Sequence, residues 1–172
     1  DATTEAVANA IKRSRLIITV GGISAGERDY FPIALERANV SMSLSGARIQ
    51  PGKPIHAGRA PNGSIVIGLP GNPVSALVCA HLFVWPAIRR LMGDESPLPW
   101  RTVTLAESVK PNANRQAFRP AILHDDGDHA TVPQWAGSGD LVHTAPTHGI
   151  VALPVQGEMV EAGTRLRFLP WA

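Results

Sequence analysis

Along the first 14 residues, apolar side chains recur at helical spacing, with Ala6, Val7, Ala10 and Ile11 on one face. The run RLIITV (15–20) then turns uniformly β-rich and stops at Gly21-Gly22, the pattern of a buried parallel strand feeding a loop. DYFPIALERAN (29–39) returns to a helical pattern, with Asp29 at an N-cap and Pro32 inside the first turn, where proline is tolerated. ARIQ (47–50) and IHAGR (55–59) read as strands split by Pro51-Gly52, and SIVIGL (64–69) as a second buried strand. A longer apolar stretch follows from Pro73 to about Leu91, a helix with a kink expected at Pro86 and a stop at Gly93.

Beyond GDESPLPW (93–100) the helical period disappears. RTVTLAESV, QAFRPAIL, HATVPQW, GIVALP and TRLRFLP are short strand-like runs separated by turns, which predicts a small β-sandwich or barrel. The chain therefore divides into an α/β half, residues 1–95, and an all-β half, residues 96–172. The first half is short of strands for a parallel sheet of its own. With no initiator methionine and an opening directly on helix-like sequence, the chain is expected to be part of something longer.

Composition narrows the picture. Of 172 residues, 44% are hydrophobic and 17% charged, enough apolar material for a real core. A net charge of +2 does not argue for nucleic acid. The single cysteine, Cys79, excludes an internal disulfide and reads as a core thiol, consistent with a cytoplasmic setting. The stretch from Val74 to Ile88 is shorter than the roughly 20 residues a membrane span needs, so no membrane is expected.

Candidate chemistry concentrates in three glycine-rich turns: GGISAGERDY (21–30), QPGKP (50–54) and LPGNPVS (69–75). The first and third follow predicted strands, and ligands of open parallel sheets bind at the carboxyl ends of strands. Glycines Gly21, Gly22, Gly26, Gly52 and Gly71 let backbone N–H groups approach an anion, and Lys53 adds a point charge. Asn72 as N-cap and Pro73 at the first helical position leave the amides of Val74 and Ser75 free at the helix end, where an oxyanion is favoured. Each turn also has a purely architectural reading, and none ends in the Gly-Lys-Ser/Thr of a Walker loop. The histidines offer no zinc spacing: His124 and His129 flank a DDGD hairpin turn, and His81 reads as a satisfied core residue. In the β half, Arg115 and Arg119 fall on one face of a strand, and GSG (137–139) forms a tight loop.

GGISAGxxDY, PGKP, GLPGNPVS and then a β-domain with RxxFR and GSG, in this order, resemble the molybdopterin molybdenumtransferase family, the MoeA proteins and the E domain of gephyrin. The similarity runs over nearly the whole chain, with LPGNPVSA its most distinctive piece. It implies an α/β domain like the MogA molybdopterin-binding fold, incomplete at its N-terminus, followed by a small all-β barrel domain. It implies Mg²⁺-dependent insertion of molybdate into adenylylated molybdopterin with release of AMP, by a cytoplasmic homodimer. This chain would be the C-terminal portion, under half of such a protein and poorly active alone. By resemblance Asp29 would hold Mg²⁺ and act in catalysis with Lys53. Gly21, Gly22, Ser24, Gly26, Pro51, Gly52, Pro70, Gly71, Asn72 and Ser75 would line the nucleotide and pterin site, with Arg119 and Ser138 facing molybdate. Gln50 departs from the pattern, where a lysine before PGKP is common; Arg48 or Arg119 would have to replace its charge. Two other readings stay open: a pterin- or nucleotide-binding module without transferase activity, and a dimeric interaction scaffold.

Overall fold

The computed structural model describes residues 2–22 and 31–172. In the α/β half, helix α1 (Ala2–Arg13) leads into strand β1 (Leu16–Val20). Helix α2 (Phe31–Arg37) is followed by β2 (Ser41–Ser45), β3 (Ile49–Gln50), β4 (His56–Arg59) and β5 (Ile65–Leu69). Four of these strands form one sheet in the order β1-β5-β4-β2. Only β1 and β5 are parallel, in register from Leu16↔Ile65 to Val20↔Leu69; β4 and β2 add antiparallel. The sheet is thus mixed rather than parallel throughout, because the short connections between β2, β4 and β5 leave no room for crossover helices. Strand β1 is an edge among the described residues, with Ile18 and Val20 44% and 63% exposed, so it is not the buried strand its composition predicts.

Side-chain alternation divides this sheet between two cores. Ile17 and Val66 face α1 and α2, where they meet Val7, Phe31, Ala34 and Leu35. Ile67 and Leu69 face the opposite way, onto Cys79 and Val84. Those two belong to a helical run formed by α3 (Pro73–Cys79), a π-helical turn (Ala80–Val84) and α4 (Trp85–Leu91). The π turn takes the place of the expected kink. Pro86 has no N–H to give to the preceding turn, and the Trp85 N–H reaches back five residues to the Ala80 carbonyl.

The β half comprises β6 (Arg101–Leu105), β7 (Gln116–Leu123), β8 (His129–Thr131), the short helix α5 (Leu141–Thr144), β9 (Gly149–Leu153) and β10 (Arg165–Pro170). Pairing runs β7-β8-β6-β10-β9 and returns from β9 to β7, which closes a five-stranded barrel and removes its edges. Val103, Leu105, Ala117, Ala121, Val151, Leu153 and Phe168 fill it.

Two features bind the halves together. Strand β3, from the α/β half, leaves its own sheet and pairs in parallel with β7, Ile49↔Gln116 and Gln50↔Ala117. The helical run Pro73–Leu91 serves as a common wall: Cys79 and Val84 pack on the sheet, while Val74 and Val78 pack on Ile150 and Leu169 of the barrel. At 19 residues it is long and apolar enough by composition to cross a membrane, but here its apolar residues are distributed over two protein faces.

Candidate functional site

The described part of the first glycine-rich turn, Gly21-Gly22, converges with the other two turns. Because β1 and β5 are parallel neighbours, the turns after them leave the sheet side by side. The Gly21 N–H donates to the Leu69 carbonyl at 2.9 Å, and a Cβ on Gly71 would lie 3.5 Å from the Gly21 Cα. Gly21 and Gly22 hold φ of 80° and 67°, a backbone conformation that favours glycine. The PGKP turn folds back on itself through Ala47 N–H to Lys53 carbonyl (2.9 Å) and Ile55 N–H to Gly52 carbonyl (3.1 Å), and β3 carries it to the barrel. Beneath it lies the buried Cys79 thiol, which burial pushes up to about 12.

The third turn starts the common helix. Asn72 occupies the N-cap with extended φ and ψ, and Pro73 follows at the first helical position, as expected. The Asn72 side chain, however, does not cap. It donates to the Ser138 hydroxyl at 2.6 Å, and the Val74 N–H donates to the Ser138 carbonyl at 3.0 Å. The GSG loop of the barrel therefore latches onto the helix start and consumes one of the two amides expected to be free. Asp140, just after this loop, caps α5 through the His143 N–H and holds the Ala136 N–H. These backbone donors hold its carboxyl below the usual carboxylate range.

Between these elements lies a cleft of about 590 Å³, within the range of small-molecule sites. Gly21, Gly22, Pro51, Gly52, Lys53, Pro70, Gly71, Asn72, Ser75 and Ser138, all singled out in the sequence, line it. Ser24, Gly26 and Asp29 lie outside the described residues. Arg119 is not among the lining residues. Strand alternation places it on the face shared with Ala117 and Ala121, both in the barrel core, and its guanidinium carbon sits 4.4 Å from the centre of the Trp135 ring. Burial lowers its pKa, and its Nε has no hydrogen-bond partner.

Gln50, Pro54, Arg115, Trp135 and Gly137 complete the lining. Trp135 lies only three residues before Ser138, a proximity that could have flagged it; its solitary place in the sequence gave no stacking pattern to read. Arg48, one of the two residues weighed as a substitute for a lysine at 50, is directed instead to the Asn114 carbonyl at 3.2 Å. Among the described residues the lining carries two cations, Lys53 and Arg115, and no carboxylate, and no group of three His, Cys, Asp or Glu side chains is placed to hold a metal ion. Glycine backbone, hydroxyl, amide and cationic groups around this cleft suit a phosphate or another oxyanion.

Residues 1–90 match the family model described as "Probable molybdopterin binding domain", and residues 102–171 that of the MoeA C-terminal region (domain IV). Molybdopterin molybdenumtransferase 2 of Mycobacterium tuberculosis is 36% identical over 160 residues, 88% of this chain and 39% of that protein. Molybdopterin molybdenumtransferase of Synechococcus elongatus is 34% identical over 152 residues, 87% of this chain and 37% of that protein. The crystal structure of the molybdopterin biosynthesis MoeA protein of Pyrococcus horikoshii superposes with a TM-score of 0.81 at 26% identity, covering 100% of this chain and 41% of its own. The chain thus spans about two fifths of the length of the relatives it matches.

Proposed function

The chain belongs to the MoeA family of molybdopterin molybdenumtransferases, and from that premise we propose that its cleft serves molybdenum insertion: it binds adenylylated molybdopterin and molybdate, and AMP leaves as the metal enters the dithiolene. One observation carries the reading. Gly21-Gly22, the PGKP and LPGNPVS turns and a barrel loop line a cleft whose described lining is cationic and free of carboxylate, matched to substrates that are all anions. The glycine turns hold phosphate oxygens through backbone N–H groups, and Lys53 adds a mobile positive charge. Ser138, bonded to Asn72, fixes the barrel wall against the helix start. Positioning and charge stabilisation are then the work of the protein, with no covalent enzyme intermediate.

Magnesium enters this reading through Asp29, since no group of three His, Cys, Asp or Glu side chains among the described residues is placed to hold it. The resemblance extends the proposal to a cytoplasmic homodimer with neither nucleic acid nor membrane as partner.

The test is AMP release from adenylylated molybdopterin by the full-length gene product, with and without molybdate. Molybdate-dependent release that falls about a hundredfold in Lys53→Ala is expected, the loss of a charge-assisted contact of ~3 kcal/mol. Tight pterin binding without AMP release would sink the transferase reading in favour of a binding module.

A further inference from the structure

We propose that the edge of the α/β sheet opposite the cleft carries a second anion site, built by Arg15, Arg59 and Arg90 and suited to a compact diphosphate. These three side chains, with Asn62 and Ser64, line a pocket of about 340 Å³. Arg15 stands just before β1, Arg59 ends β4, and Arg90 lies in the last turn of α4. Three separate elements thus bring guanidinium groups to one place, and no carboxylate is among the described lining. The cleft lies at the other ends of β1 and β5. Arg15 and Gly21 are six residues apart, about 20 Å of extended chain, so the two sites are distinct.

The pocket floor is set by the chain itself. Asn62 Nδ2 donates to the Ile11 carbonyl and Ser64 Oγ to the Ser14 carbonyl, both at 2.7 Å, which fastens the β4–β5 turn to the end of α1. Arg59 Nη1 donates to the Gly63 carbonyl at 3.0 Å, which orients its guanidinium. Arg15 makes no side-chain hydrogen bond or ion pair among the described residues. Arg90 pairs with Glu95 at 3.1 Å, but both side chains are more than half exposed, and such a surface pair contributes little and yields to a stronger anion. Its neighbour Arg89 is the contrast: Asp94, the Pro97 carbonyl and the Trp85 ring engage it, and it is outside the lining.

Helices α1 and α4 both end beside this pocket, and a helix C-terminus opposes an anion. Here their carbonyls are already engaged: Ile11 by Asn62, Ile88 by the Met92 N–H, Arg89 by the Asp94 N–H and Arg90 by the Gly93 N–H. The three cations therefore set the sign of the site. Guanidinium forks match phosphoryl oxygens, and three of them suit two linked phosphoryl groups better than one. No aromatic side chain lines the pocket for a base to stack on, so the site reads the diphosphate and not a nucleobase.

Inorganic diphosphate is titrated calorimetrically, in metal-free buffer, into the full-length gene product and into Lys53→Ala, in which anion binding by the cleft is weakened. Arg15→Gln and Arg15→Gln/Arg90→Gln are added to the Lys53→Ala background, with thermal melts confirming that each protein is folded. Lys53→Ala is expected to bind one diphosphate. Arg15→Gln should weaken that binding about tenfold and the double arginine change about a hundredfold, one charge-assisted contact at a time. Inorganic phosphate should bind about tenfold more weakly than diphosphate, and ADP no more tightly. Absence of diphosphate binding, its loss in Lys53→Ala, or its survival in the double arginine variant would overturn the site. Phosphate binding as tightly as diphosphate, or ADP about tenfold more tightly, would overturn the diphosphate assignment. None of these outcomes depends on the molybdenum-insertion reading.

Discussion

Gly52 shows how one residue ties the site to the core. Its φ of 111° lies where side chains are rarely tolerated, and a Cβ there would fall on Cys79 Sγ. The thiol in turn sits 3.8 Å from the Gly52 carbonyl. The PGKP turn that presents Lys53 is thus seated on a buried sulfur from the common helix. Gly52→Ala is expected to lower the unfolding free energy by about 2 kcal/mol or more, through overpacking and backbone strain together. Cys79→Ala should relieve only the packing part, so the double variant should lose less than the sum of the singles. Urea unfolding followed by circular dichroism measures this cycle, and additivity within about 0.5 kcal/mol would mean that the two residues do not press on one another.

At the scale of the element, the helical run from Pro73 to Leu91 carries a pH dependence in its π turn. His81 is buried there between the rings of Trp85 and Trp171, at 5.4 and 4.8 Å, and its Nε2 accepts the Ala172 N–H at 2.6 Å. Burial lowers its pKa from the ordinary 6.5. The unfolded chain then takes up the proton first as pH falls, so the stability due to neutral His81 is complete above about 6.5 and is lost as pH drops towards its folded value. Unfolding free energies measured from pH 8 to pH 5 should decline below that point in wild type and decline less in His81→Gln. Equal slopes would refute the role given to His81. Asp94 and Asp126, held near 2 chiefly by backbone hydrogen bonds, act in a lower window and leave this comparison undisturbed.

The same element shows what was legible in the sequence. Its start at Asn72-Pro73, its apolar length and the core position of His81 follow from local rules of capping, proline and periodicity, as do the five barrel strand segments. The tie from Asn72 to Ser138 does not, because it joins residues 66 apart. The departure of β3 from its own sheet to β7 is likewise a long-range pairing that two residues of pattern cannot announce. Arg115 and Arg119 have the same spacing logic and the same face; their different fates depend on Trp135, which only the folded chain brings between Arg119 and the cleft.

At the scale of the whole molecule, the composition break at residues 93–100 suggests two units that could unfold separately, and the packing argues otherwise. Val74 and Val78 lean on Ile150 and Leu169 of the barrel, while Cys79, the next residue on, is buried against the sheet. Loss of the barrel face would strip one side of the helix that walls the α/β core, so both should open together. Cys79 reports this directly: it is the only cysteine, fully buried, with its thiol pushed up to about 12, and it reacts with a thiol reagent at pH 8 only when the core opens. Ile150→Ala, a barrel substitution, should cost about 2 kcal/mol or more and therefore speed Cys79 labelling in native buffer by about thirtyfold or more. An unchanged labelling rate, in a variant whose barrel is shown to be destabilised by its tryptophan fluorescence, would mean that the halves unfold independently. The cleft would then lie between two separable bodies rather than in the seam of one.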